Sequence, residues 1–187
     1  MTSSLPPNAT VTFQSELFTI YTWPQQLYDG STKTFECCVR PSGVVVMGFL
    51  DPETVLLTKQ EQPHRERSFF DLPGGRMEPG EDSEMAARRE FLEETGYEID
   101  RLEPWFTDTQ QGVIRFSQFF FWATDLRRAS EKQQLDGGER ITVIPTSLTD
   151  FRDHCLNDTL RNRITALAWL RLRENPDAQN HLRAFLR

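Results

Sequence analysis

Apolar residues along the chain gather first in short runs separated by turn residues and later at helical spacing. Val11 to Tyr21 and Lys33 to Arg40 mix β-branched and aromatic residues, and Tyr28-Asp29-Gly30-Ser31 supplies turn chemistry between them, which predicts an N-terminal antiparallel β-ribbon. Val44 to Leu50 and Thr54 to Lys59 are two further apolar runs. They are joined by Asp51-Pro52-Glu53, where proline fixes φ in a turn, and predict a second hairpin. Phe69 to Leu72 predicts a short strand stopped by Pro73-Gly74-Gly75, and Pro79-Gly80 is a second breaker. Glu84 to Thr95 consists of strong helix formers, with Asp82 or Ser83 placed to cap the first turn and Gly96 where a left-handed cap is expected. Ile114 to Thr124, rich in Phe and Trp, predicts a buried strand, whereas the charged and polar stretch Asp125 to Gly138 reads as a mobile loop. Ile141 to Ile144 predicts one more strand. Helical spacing returns at Ser147 to Cys155 and at Leu160 to Arg173, where Ile164, Leu167, Ala168 and Leu172 form the apolar side, and a last helix follows. The pattern is that of an α+β protein, with helices packed on a mixed β-sheet and an N-terminal ribbon (residues 1–42) ahead of the main domain (residues 43–187).

Length and composition narrow this picture. A chain of 187 residues suits one catalytic unit with a substantial core and carries no internal repeat. The net charge of -7 argues against a protein that grips nucleic acid backbone nonspecifically, because such binding needs clustered Lys and Arg. A small anionic substrate would need local positive charge instead. Met1 to Ala9 has neither a basic start nor an apolar core, and Val44 to Leu50 and Phe119 to Ala123 are far too short to span a bilayer, so a soluble, cytoplasmic protein is expected. Cys37, Cys38 and Cys155 form no spaced framework, redox pair or zinc pattern and read as reduced structural thiols.

One cluster carries chemistry. Glu90, Glu93 and Glu94 lie three and four residues apart on the predicted helix, so their carboxylates project toward one side, within reach of a common ion. Three such anions repel each other unless a cation offsets the repulsion, and carboxylate oxygens suit hard Mg2+ or Mn2+, which also bind phosphate oxygens. Arg89, adjacent to Glu90 and four before Glu93, can hold a carboxylate in place. Gly74 and Gly75 let the backbone turn sharply beside the acids, and Glu81 sits at the mouth of the helix. The competing reading is an ordinary solvated face laced with i, i+4 pairs.

From Gly75 the sequence runs five residues to Glu81, seven more, and then Arg89-Glu90-Phe91-Leu92-Glu93-Glu94-Thr95-Gly96-Tyr97. This resembles the Nudix box at every defining position, across a loop and a helix together, which an arbitrary charged helix does not account for. Val44 to Lys59 followed by Phe70-Asp71-Leu72-Pro73-Gly74-Gly75 is similar to the strands leading into the box in the ADP-ribose pyrophosphatase branch. Leu135 to Val143, with the helices after it, is similar to that branch's catalytic loop, strand and C-terminal helices. The resemblance implies a Nudix fold, a mixed β-sheet sandwiched between helices. It implies Mg2+, with Mn2+ as a substitute, held by the Gly74 carbonyl, Glu90 and Glu94 with Glu93 as a further ligand. Arg89 and Glu81 would support them, and Glu139 would be a loop acid near the attacking water. It further implies a homodimer built through the ribbon, with Trp23 stacking on a base, and a nucleoside diphosphate substrate, with no nucleic acid or membrane partner.

The expected reaction is hydrolysis of the pyrophosphate linkage of ADP-ribose or a related nucleoside diphosphate sugar, giving a nucleoside monophosphate and a sugar phosphate. One departure bears on the substrate: Trp105 to Gly112 lacks the proline-centred signature of dedicated ADP-ribose pyrophosphatases. A nucleoside triphosphate pyrophosphohydrolase and a non-catalytic nucleotide-sensing Nudix domain are the alternatives. His64, Arg65 and Arg67 lie in a polar loop before the box; the two arginines, with Gly75, are the candidates for contact with substrate, and a solvated loop is the plainer reading. His154 and His181 have no ligand spacing around them, and Phe116 and Phe119 to Trp122 read as sheet core.

Overall fold

The computed structural model describes residues 5–130, 138 and 140–187. Among these residues, nine strands and four helices are formed. The ribbon contains β1 (Thr10–Gln14), β2 (Thr19–Gln26) and β3 (Thr32–Val39), paired antiparallel in that order. It therefore has three strands where the sequence predicts two. Val11 to Tyr21 is not continuous, because Ser15 closes a tight turn, with its backbone N–H donating to the Phe18 carbonyl at 2.8 Å.

The second hairpin forms as expected from β4 (Gly43–Asp51) and β5 (Thr54–Glu61), and Asp51 steadies its turn by accepting the Glu53 N–H at 2.8 Å. The short β6 (Phe69–Asp71) pairs with β5. After the glycine loop comes α1 (Ser83–Thr95), capped by the Asp82 side chain on the Met85 N–H at 2.8 Å and ended by Gly96 at φ 71°.

Two findings depart from the sequence reading here. Tyr97–Gln111 is one long strand, β7, paired antiparallel with β8 (Ile114–Arg128) along almost its whole length, and β8 runs four residues into the stretch read as a loop. Their alternating charged residues suit a strand with one wet face, a pattern that hides among polar residues when no partner is in view. β8 is central: β3 and β4 pair parallel with it, and β7 antiparallel. β9 (Arg140–Ser147) pairs with β5 throughout. Next come α2 (Leu148–Leu156), α3 (Arg163–Arg173) and α4 (Pro176–Phe185).

The mixed, curled sheet lies between α1 and the three C-terminal helices. Val44, Val46 and Phe121 pack with Ala86, Ala87 and Phe91 of α1. The alternate residues Val45, Met47, Phe49, Phe120 and Trp122 pack with Phe151, Trp169, Leu182 and Phe185 on the other side. Burial on both faces explains why β4 reads as a continuous apolar run. The buried side of α3 is Thr165, Ala166, Trp169 and Leu172; of the predicted apolar side Leu172 is buried, Leu167 is 44% exposed, and Ile164 and Ala168 are only partly covered. Among the described residues, no helix is long and apolar enough to cross a membrane.

Candidate active site

The loop after β6 is laid along the start of β4. The Val44 N–H donates to the Gly75 carbonyl at 2.9 Å and the Val46 N–H to the Pro73 carbonyl at 2.8 Å. Gly74 adopts φ 154°, and a Cβ there would overlap the Val44 carbonyl; a Cβ on Gly75 would overlap the Glu90 carboxylate. These two positions thus bring backbone against β4 on one side and against a site acid on the other.

Glu94 is 7% exposed and held by neutral donors. It accepts the Gly74 N–H at 3.0 Å and Gln60 Nε2 at 3.3 Å. Gln60 is a site residue that the sequence reading missed. It is buried on β5 and also donates to Thr58 Oγ1 at 3.1 Å, while Thr58 Oγ1 donates to the Asp71 carbonyl at 3.0 Å. The signal was present: Leu56, Thr58 and Gln60 share one face of the strand, which turns from apolar to polar as it approaches the acids.

Arg89 organises the remaining acids. Its Nε and Nη2 grip Glu81 at 2.9 Å each, and Nη1 donates at 3.0 Å both to Glu90 and to Glu93. Nη2 also reaches the Arg76 carbonyl at 3.0 Å, which ties the helix to the glycine loop. The hydrogen bond from Arg89 holds Glu81 below the ordinary carboxyl range, and this same contact raises Arg89. Burial pushes Glu90 upward despite Arg89 beside it, and the negative charges of Glu93 and Glu81 add to that rise.

This acid set fits a hard divalent ion by donor chemistry. Three carboxyl groups, those of Glu81, Glu90 and Glu93, draw on one guanidinium, with Glu94 buried beside them, and Glu90 is held where its own negative charge is disfavoured. A divalent cation would offset this concentration of negative charge. Among the described residues, however, no three metal-binding side chains converge on one point as they stand. Arg89 stands between Glu90 and Glu93, so ligation by both would require their side chains to shift.

The other expected residues divide. Arg65 and Arg67 come together, with Gly138 and Arg140, along a groove of about 650 Å3. Glu61 and Glu66 line the same groove, and Glu61 directly follows Gln60 in β5. Trp23 lies in the ribbon and is 7% exposed, packed on Phe35 at 6.2 Å between ring centres, with the Arg115 guanidinium 5.8 Å from its ring. Its packed position leaves little ring open in the single chain. His154 and His181 pack locally, against Phe70 and Trp122, as read from sequence. Glu139, the expected loop acid, lies outside the described residues.

Comparison with known proteins agrees with this layout. The chain is 29% identical over 177 residues to the ADP-ribose pyrophosphatase of Bacillus subtilis (strain 168), spanning 89% of this chain and 92% of that protein. It is 27% identical over 153 residues to the methanol dehydrogenase activator of Bacillus methanolicus, spanning 80% and 82%. A crystal structure of an ADP compounds hydrolase matches with a TM-score of 0.73 at 21% identity, over 90% of this chain and 91% of that one, a likeness of fold. The NUDIX domain profile matches residues 39–185, which take in every strand from β4 onward, the glycine loop and all four helices. The chain therefore belongs to the Nudix family, as a Nudix hydrolase with the layout of the ADP-ribose pyrophosphatase branch.

Proposed function

We propose that the protein hydrolyses the pyrophosphate linkage of ADP-ribose or a related nucleoside diphosphate sugar, with Mg2+ as the working ion and Mn2+ able to replace it. The observation that carries this reading is the single Arg89 clamp that aims Glu90 and Glu93 beside the Gly74-Gly75 loop, next to the buried Glu94. Hydrolases of this family generally use divalent metal ions. Glu90, Glu93, Glu94 and the Gly74 carbonyl would hold the ion, which when bound supplies charge neutralisation at phosphate and acidifies water. The chain's own groups do the rest. Glu94, steadied by Gln60 and the Gly74 N–H, is the carboxylate placed to accept a proton. Arg89 and Glu81 fix the helix acids against the loop. Arg65, Arg67 and Arg140 supply the local positive charge that a dianionic substrate needs on an acidic protein. Glu139 is proposed as a further acid acting near the water, and Trp23 as an aromatic contact for the base once a second copy of the ribbon is in place.

The test is to incubate the protein and Mg2+ with ADP-ribose, nucleotide sugars, dinucleoside polyphosphates and nucleoside triphosphates and to identify the products. A nucleoside monophosphate and a sugar phosphate are expected. Release of pyrophosphate from triphosphates would favour the triphosphate pyrophosphohydrolase reading, and binding without cleavage a sensing domain. Glu94→Gln should lower kcat by about a thousandfold while leaving the fold intact. Near-normal turnover with Mg2+ would remove Glu94 from the proposed ligands.

A further inference from the structure

A second charged cluster lies beside the glycine loop, and it is positive. Arg40 follows the end of β3; its guanidinium lies 4.1 Å from the centre of the Phe116 ring. Gly43 pairs with Arg76, and the Met77 N–H donates to the Ser42 carbonyl at 3.0 Å, so the segment carrying Arg40 runs against the loop carrying Arg76. Arg161 arrives from the link between α2 and α3. Its N–H donates to the Phe70 carbonyl at 2.9 Å, and the next residue, Asn162, reaches Gln118, the strand partner of Gly43, at 3.1 Å.

Three segments, each carrying an arginine, thus run together around Ser42 and Gly43. Burial is the main influence that disfavours the charge on Arg40, and Arg76 and then Arg161 add to it. Only Arg161 has a carboxylate, Asp71 at 2.9 Å. Among the described residues neither Arg40 nor Arg76 forms an ion pair, although the chain has 28 acidic residues against 21 basic ones. Phe69 extends the cluster: the Arg161 guanidinium lies 4.7 Å from the centre of its ring and that of Arg65, from the groove, 4.9 Å from the same centre.

We propose that Arg40, Arg76 and Arg161 form a phosphate-binding subsite next to the acid cluster. Crowded guanidinium groups without counter-charge are unfavourable until an anion arrives, and their planar forks match phosphate oxygens. Two sources of that chemistry fit. One is the phosphate of the bound substrate that is not attacked, an assignment that rests on the function proposed above. The other is a free phosphomonoester acting as product or effector.

Binding is measured without turnover, by calorimetric titration of inorganic phosphate and ribose 5-phosphate into the full chain in EDTA. Wild type should bind both, and Arg76→Gln and Arg40→Gln should each weaken binding by about tenfold or more. Arg127→Gln, which alters an exposed arginine paired with Glu98 and Asp100, should leave binding unchanged. Arg76 is exposed, so its variant keeps the test valid if loss of the Arg40 contact with Phe116 unsettles the fold. Kinetics then separate the sources. Competition between phosphate and substrate, with KM raised and kcat kept in Arg76→Gln, assigns the subsite to the substrate. Inhibition that is not competitive assigns it to a free phosphomonoester. Equal phosphate binding by wild type and both variants, or no binding by wild type, overturns the proposal. Failure to cleave any diphosphate, with phosphate binding still lost in the variants, would refute the function and leave the subsite standing.

Discussion

Gly75 shows how much a single residue without a side chain can decide. Its backbone is bonded to β4, and the space its Cβ would fill belongs to the Glu90 carboxylate. Gly75→Ala should therefore lower kcat/KM by about a hundredfold through displacement of Glu90, while costing little stability because the site lies at the end of the core. Comparing kinetics with thermal melting checks this; normal activity would mean that the Glu90 position is not critical. At this scale the sequence was informative where residue types are dictated by neighbours close in the chain. Arg89 was expected to orient the acids, and it grips Glu81, Glu90 and Glu93 together. Gln60 was missed: the turn from apolar to polar along its strand face was visible, but its partner Glu94 lies 34 residues away and nothing local names it. Trp23 was read as a candidate for stacking, but the covering of its ring by Phe35 is a matter of strand register that no spacing reveals.

Elements with strong punctuation were legible to within a residue or two. The Asp82 cap and the Gly96 terminus define α1, and Asp51-Pro52-Glu53 defines the β4–β5 turn. β7 was not, since its charged positions acquire meaning only when β8 lies alongside. The link that carries Arg161 illustrates how two elements are joined by charge. Burial lifts the Asp71 carboxyl above its ordinary value of 3.8, and Arg161 opposes that lift. A carboxyl raised in the folded state contributes its full stability below the ordinary value and loses it as pH rises through the raised one. Arg161→Ala removes the opposing charge and so lifts Asp71 further; its deficit should be small in acid and grow as pH rises above the raised value of the wild type toward the still higher one of the variant, reaching about 2–4 kcal/mol at neutral pH for a pair that is partly exposed. Urea unfolding at pH 4 and pH 7 reads this. An equal deficit at both would assign Arg161 to packing on Phe69 rather than to charge.

For the whole molecule, the layered α+β architecture followed from where apolar runs change period, but the order of strands did not, because pairing depends on contacts distant in sequence. Val11 and Phe13 of β1 and Phe18 of the β1–β2 turn are 51%, 57% and 43% exposed, on a ribbon that pairs with the rest of the sheet through the short contact of β3 with β8. Residues 1–42 are proposed as the dimerisation element, and Phe13→Ser with Phe18→Ser should shift a homodimer toward monomer in sedimentation velocity. A wild-type monomer at micromolar concentration would end that proposal. The parallel pairing of β4 with β8 has a separate consequence, in time rather than in space. The glycine loop is bonded to β4, yet the strand that pins β4 from its other side is synthesised about 75 residues later. A nascent chain truncated before Ile114 contains α1 and the β4–β5–β6 part of the sheet but lacks the central strand that holds β4 from its other side. Competence for catalysis should therefore emerge late in synthesis and in one step, with the slow formation of a distant parallel contact setting its pace.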